Sequence, residues 1–154
     1  MSGNLVVLMI LNGMSVHKIS AITLRIKDMD RSCQFYSQIP GFRLVYGGSL
    51  NDTFSTYEVG RSKEHKICLN LELIQPTDDR NNQNHQPIAS RKHFGRIIFH
   101  TDDVDKLYEY FRNNDSISTN IVFENPPTDA LWGERYFHIH DPDGYQLSFA
   151  KPLT

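Results

Sequence analysis

The sequence predicts an α+β fold. Two βαβββ modules are related by pseudo-twofold symmetry, with curved mixed sheets, helices outside and a concave cavity inside. Three observations predict it. An alternating strand followed by a capped amphipathic helix occurs twice, the strand that closes each copy carries similar wording, and a polar stretch separates the copies. AITLRIKDMDRSCQFYSQ, starting at Ala21, sets over RIIFHTDDVDKLYEYFRN, starting at Arg96. Ile22 then falls on Ile97 and Asp28 on Asp103, and the stripe Met29, Ser32, Cys33, Tyr36 falls on Val104, Leu107, Tyr108, Phe111. Both stripes follow the i, i+3, i+4, i+7 spacing of one helix face. Later, NLELIQP (70–76) matches QLSFAKP (146–152) with the offset changed by a single residue.

Each element has its own local reason. Strands are expected over 22–27 and 97–101 from their period-two alternation. Helices follow over 29–38 and 104–113, with Asp28 and Asp103 placed to accept the first free amides. Pro40-Gly41 stops the first helix, and strands are expected at 42–46, 53–59 and 67–74. The second copy ends on strands at 119–124, 134–140 and 145–150, with Asp141-Pro142-Asp143-Gly144 as the turn before the last. The domain reading is an extension over 1–16, a first module over 17–75, a linker over 76–93 and a second module over 94–154. Leu5 to Leu11 is apolar, but no Lys or Arg precedes it and no small-x-small cleavage site follows.

Composition narrows the class. Hydrophobic residues make up 39% and charged residues 22% of 154 residues, which suits a packed globular domain. Sixteen Lys plus Arg against eighteen Asp plus Glu leave no basic excess, so a nucleic-acid partner is not expected. No apolar run approaches the roughly 20 residues of a bilayer span, so no membrane partner is expected, and the reading is a cytoplasmic protein. Cys33 and Cys68 lack the spacing of a zinc site and read as buried free thiols.

One helix cannot cover both sides of four strands, so each module keeps an open face. Alternation turns Ile22, Leu24 and Ile26 toward the helix and leaves Ala21, Thr23 and Arg25 on the concave side. It leaves Arg96, Ile98 and His100, then Asn70 and Glu72, then Tyr136, His138 and His140, then Gln146 and Ser148 on the same side. That face is polar, aromatic and rich in nitrogen and oxygen donors. Glu72 is the candidate general base, weighed against a structural ion pair. Arg25, Arg96, His100, Tyr136, His138 and Ser148 are candidate ligand-binding residues. His138 and His140 share a strand face with His100 across from them, so a displaced site of two histidines with Glu72 is weighed against simple polar lining.

The segments ITLRIKDMDRSCQFYSQIPGF, NLELIQP, GRIIFHTDDVD and RYFHIHDPDGYQLSFAKP resemble the vicinal oxygen chelate superfamily. That group contains lactoylglutathione lyases, extradiol dioxygenases and bleomycin-resistance proteins. The resemblance spans about 18–152 and implies the fold more specifically than the reaction. It implies metal positions at Ala21, Glu72, Arg96 and Ser148. Of these only Glu72 is a plausible ligand, so no metal and no cofactor is expected. It also implies a substrate contact for Arg25, an aromatic lid for Trp132 in LWGER, and a homodimer. The expectation is a protein that binds a small anionic or carbonyl-bearing molecule, with an Arg96–Glu72 pair at its centre. The alternative is a metal-dependent glyoxalase-like lyase or dioxygenase-type enzyme, and the sequence leaves open whether the protein is catalytic.

Overall fold

The computed structural model describes residues 18–76 and 95–154, together with Met14 and Val16. The expected extension 1–16 and linker 76–93 lie outside these residues apart from Met14, Val16 and Pro76. The first unit runs β1 Ala21–Ile26, α1 Met29–Tyr36, β2 Phe42–Tyr46, β3 Phe54–Val59, a 3-10 turn Lys63–His65 and β4 Ile67–Leu73. The second runs β5 Arg96–His100, α2 Val104–Asn113, α3 Asp115–Ser118, β6 Val122–Phe123, β7 Thr128–Asp129, β8 Glu134–His140 and β9 Gln146–Pro152. Each helix starts as its sequence says: the carboxylates of Asp28 and Asp103 accept the amides of Arg31 and Lys106.

Three elements differ from expectation. The first helix ends at Tyr36, where the Ser37 amide bonds back to the Cys33 carbonyl and the Gln38 amide to the Phe35 carbonyl. The strand expected over 119–124 shrinks to Val122–Phe123, because Asp115–Ser118 winds a further helical turn that buries Ile117. The two residues of β7 are too few to show an alternation and were invisible in the sequence. Gly41 sits at φ +93 after Pro40, a conformation that side-chain-bearing residues rarely adopt.

The sheets repeat one order, β1-β4-β3-β2 and β5-β9-β8-β6, with β7 added on β8. In each, the first strand pairs in parallel with the last (β1 with β4, β5 with β9), and the remaining pairs are antiparallel. The helix-facing residues are buried: Leu24, Ile26, Leu69 and Leu71 in one sheet, Phe137, Ile139, Leu147 and Phe149 in the other. They join the helix residues Phe35, Tyr36 and Phe111 in a single core. Phe35 meets Phe111 edge-on across the two helices at 6.3 Å.

Polar bonds lock the two units together at the turn before β9. Asp141 accepts the Tyr36 hydroxyl at 2.6 Å and the amides of Asp143 and Tyr145 at 2.9 and 2.8 Å. Asp143 accepts the Lys27 amide at 2.9 Å and the Ser32 hydroxyl at 3.0 Å, with Arg31 at 3.4 Å. The Tyr145 hydroxyl accepts the Arg25 amide at 3.1 Å and donates to the Arg25 carbonyl at 2.8 Å. Among the described residues no helix is long and apolar enough to cross a membrane.

Burial pushes the Asp141 carboxyl up to about 6, against the hydrogen bonds that favour its charged form. A carboxyl raised in the folded state stabilises the fold fully below its unfolded value near 3.9. That contribution is lost as pH rises through about 6, for a total on the order of 3 kcal/mol. Urea unfolding at pH 4.5 and 7.5 should therefore show a loss of stability in the wild type that is smaller in Asp141→Asn. Equal slopes in the two proteins would place the Asp141 carboxyl near its ordinary range.

Candidate functional site

The open face of the first sheet follows from the parallel register, which sets Arg25 beside Glu72 and Thr23 beside Asn70. Neighbouring side chains on one face of a sheet meet. Arg25 Nε accordingly lies 3.3 Å from Glu72 Oε2, with about a third of the arginine side chain and two-fifths of the glutamate exposed. The Thr56 hydroxyl donates to Asn70 Oδ1 at 2.9 Å, and Asn70 Nδ2 donates to Thr23 Oγ1 at 3.2 Å.

The second sheet gathers most of the candidate residues. Arg96 Nη1 lies 2.7 Å from His138 Nε2. A guanidinium can only donate, so Nε2 accepts and the ring proton of the neutral imidazole sits on Nδ1. His138 is buried, and its Nδ1 has no partner among the described residues. Burial first, then the Arg96 charge, holds this imidazole below the usual histidine range. Its backbone amide is fixed by Asn125 Oδ1 at 3.0 Å. Tyr136 lies against the His138 ring at 4.7 Å and stacks with Trp132 at 5.7 Å. Trp132 remains 68% exposed, so it forms an outer aromatic wall and does not belong to the core. Its Nε1 donates to Glu134 Oε2 at 3.0 Å, and the other Glu134 oxygen lies 3.5 Å from His100 Nε2. Ser148 is buried beneath this group, opposite His138 in the β8–β9 register.

Two expectations are corrected here. The Arg96–Glu72 pair does not form: the glutamate is held by Arg25 on the adjacent strand, and Arg96 stands on the other sheet against His138. About two-fifths of the Glu72 side chain is exposed. The matched motifs around Glu72 and Ser148 do not stand at symmetric places either. Glu72 lies beside Arg25, whereas Ser148 lies beside Ile98, two residues short of the corresponding level at His100. The cause is hairpin length. β3 and β4 stay paired to Val59 and Ile67 around the longer 60–66 loop, while β8 and β9 part at His140 and Gln146 around Asp141–Tyr145.

The residues at the inherited metal positions do not fit a divalent ion. Ala21 has no donor, Arg96 carries positive charge, Ser148 offers a hydroxyl, and Glu72 is engaged by Arg25. The three open-face histidines do not substitute for them. His138 faces Arg96, His100 faces Glu134, and His140 lies 3.3 Å from Glu124. Among the described residues no three His, Cys, Asp or Glu side chains converge as a ligand set.

A family model described as Glyoxalase/Bleomycin resistance protein/Dioxygenase superfamily matches residues 18–149. The chain belongs to that superfamily. Solved members share its fold. A glyoxalase-related enzyme from Fulvimarina pelagi superposes with a TM-score of 0.65 at 19% identity, over 88% of each chain. A glyoxalase/bleomycin resistance protein/dioxygenase family enzyme from Burkholderia phytofirmans PsJN gives 0.63 at 14% identity, over 89% of this chain and 100% of that one. TioX from Micromonospora sp. ML1 gives 0.57 at 17% identity, over 89% and 100%. Among curated proteins none matches. At these identities the glyoxalase-superfamily likeness carries the fold alone.

Glu134, Glu124 and Asn125 join the site without having been singled out. Glu134 was legible, since it alternates in phase with Tyr136 and His138 on one strand. Glu124 and Asn125 were not, because only the β6–β8 pairing brings them under His138 and His140. Gln146 Nε2 bonds Glu124 at 2.5 Å and, with nearby His138, His140 and Arg96, holds that carboxyl below its ordinary range. In ring-nitrogen NMR, His138 should titrate below the usual histidine range and show the Nδ1–H tautomer at pH 7. Arg96→Ala, which removes an adjacent positive charge, should move that titration upward. A midpoint that stays put would mean the guanidinium does not act on the ring.

Proposed function

We propose that this glyoxalase-superfamily protein binds a small anionic or carbonyl-bearing molecule on the open face of its second sheet, without the family metal. The observation that carries the reading is the state of Arg96. Its guanidinium is exposed and braced by a neutral imidazole, and no carboxylate pairs with it among the described residues. Its remaining N–H groups are donors of the kind suited to a carboxylate, a phosphoryl group or a polarised carbonyl. The Trp132–Tyr136 stack supplies a flat apolar wall beside this anchor. His138 fixes the orientation of the guanidinium and, being neutral, adds no competing charge. Glu72 then serves as the ion-pair partner of Arg25, and no proton-transfer step is assigned to it. The metal-dependent lyase or dioxygenase reading would need ligands that these positions do not offer.

Trp132 is the only tryptophan in the chain, so its fluorescence reports directly on this face. Titration with benzoate should quench it saturably. Arg96→Ala should weaken benzoate by about tenfold or more, the scale of a charge-assisted hydrogen bond. A native mass spectrum of protein purified without added metal should show the chain free of stoichiometric nickel, zinc, iron or manganese. Metal retained by the wild type and lost in Glu72→Gln would overturn the reading in favour of the enzyme. The homodimer belongs to the same proposal: β2 leaves Leu44, Val45 and Tyr46 exposed at a sheet edge. Sedimentation should give about twice the 17.8 kDa chain mass, and a monomer at micromolar concentration would remove that part.

A further inference from the structure

The two units differ at one place where their shared plan makes them equivalent. In one half, the hairpin Asp141–Tyr145 plugs a notch between the end of β1 and the start of α1. Tyr145 satisfies the outward N–H and C=O of Arg25 with its hydroxyl, and the Asp143 carboxylate takes the Lys27 amide and the Ser32 hydroxyl. In the other half, the corresponding notch lies between the end of β5 and the start of α2. The hairpin that should plug it is the longer one, from Val59 to Ile67. The pair Glu58–Cys68 corresponds to His140–Gln146, so Ile67 stands where Tyr145 stands. An isoleucine cannot supply the hydroxyl, and the 60–66 loop winds into its own 3-10 turn. Among the described residues the second notch stays open as a cavity of about 510 Å³, walled by Val59, Ile67, Leu107 and Phe149 and rimmed by Arg61, His100 and Asp102.

The backbone of the open notch repeats the unmet needs of the plugged one. The Thr101 amide bonds to Ala150 on β9. Parallel pairing alternates, so the amide and carbonyl of His100 turn the other way, toward the notch. His100 is the counterpart of Arg25, and Asp102 of Lys27. Among the described residues, neither of these His100 groups nor the Asp102 amide has a backbone or side-chain hydrogen bond. Leu107 replaces Ser32, which makes the wall more apolar. Arg61, ion-paired with Asp102 and largely exposed, stands over the rim, and Lys106 occupies the place of Arg31.

We propose that this notch binds a small hydroxyaryl carboxylate. Its hydroxyl and its carboxylate take the places that Tyr145 and Asp143 fill in the other half. The ring comes from the ligand because the protein supplies isoleucine there. Two residues of chain separate the His100 and Asp102 groups by at most about 7 Å, which a para-substituted ring can span from hydroxyl to carboxylate. The carboxylate meets the Asp102 amide, Arg61 and the positive end of α2. This site uses the backbone of His100, whose side chain lies toward Glu134 at the border of the Arg96 face, and it does not depend on the reading given to that face.

The test is an NMR titration of the full chain with 4-hydroxyphenylacetate. Saturable shifts are expected at the His100 and Asp102 amides and at the methyls of Val59, Ile67 and Leu107. Phenylacetate, which lacks the hydroxyl, and 4-hydroxyphenylethanol, which lacks the carboxylate, should each bind about fivefold or more weakly. Ile67→Tyr should plug the notch and abolish the shifts. Arg61→Ala, at an exposed position that leaves the fold intact, should weaken the acid about threefold to tenfold. Arg96→Ala should leave this binding unchanged. Shifts confined to Tyr136 and His138, shifts that never saturate, or equal binding of all three probes would overturn the proposal. So would notch resonances that respond to protein concentration and not to the probe, since a second copy would then cover the cavity.

Discussion

The turn from Asp141 to Tyr145 is the contact on which the arrangement of the two units depends. Each unit presents an apolar helix-facing surface of only a few strands, and a module of this size buries limited area by itself. The shared core supplies the non-directional attraction, but apolar packing alone would tolerate several relative positions. Asp141, Asp143 and Tyr145 remove that freedom. Their hydrogen bonds reach Tyr36, Ser32 and the backbone of Arg25 and Lys27, so β9 enters its sheet at one place relative to β1 and α1. Burying two carboxylates is costly unless each lone pair finds a donor. Backbone amides and hydroxyls supply donors to both carboxylates, which makes the junction specific even though burial still raises Asp141.

The same junction shows how a duplicated plan yields an unequal pair. Both units keep the strand order, the helix cap and the parallel closing strand. They differ in the hairpin before that strand, and the difference has two effects. It displaces Glu72 by two residues from the level of Ser148, which separates positions that the matched motifs make look equivalent. It also leaves one interface plugged by side chains and the other open. In the second sheet, polar side chains then concentrate around Arg96 and His138. In the first, Arg25 and Glu72 neutralise one another across adjacent strands.

Much of this was legible in the residues. Asp28 and Asp103 announce their helices, period-two alternation sorts Leu24 from Arg25 and Phe137 from His138, and Asp-Pro-Asp-Gly announces the last hairpin. These signals are local, and local physics carries them: a cap bonds within one turn, and strand faces alternate by geometry. The partners of charged side chains were not legible. The sequence suggested Glu72 with Arg96 because the family's metal positions bring those two places together. Strand register brought Glu72 to Arg25, and no local pattern encodes register between strands that lie more than 40 residues apart.

The sequence alone therefore determined the fold class, the duplicated plan and the faces of the strands. Each of those follows from residue type and spacing. Only the tertiary structure decided that Arg96 leans on a neutral histidine, that Glu124 and Asn125 lie beneath the site, and that one notch stays open. The place of Glu124 and Asn125 depends on the pairing of β6 with β8, and the open notch on how far each hairpin pairs before it turns. Pairing length is set by competition between strand hydrogen bonds and loop packing across the whole unit, and the 60–66 loop winds a 3-10 turn at Lys63–His65 where the other copy has the shorter Asp141–Tyr145 turn.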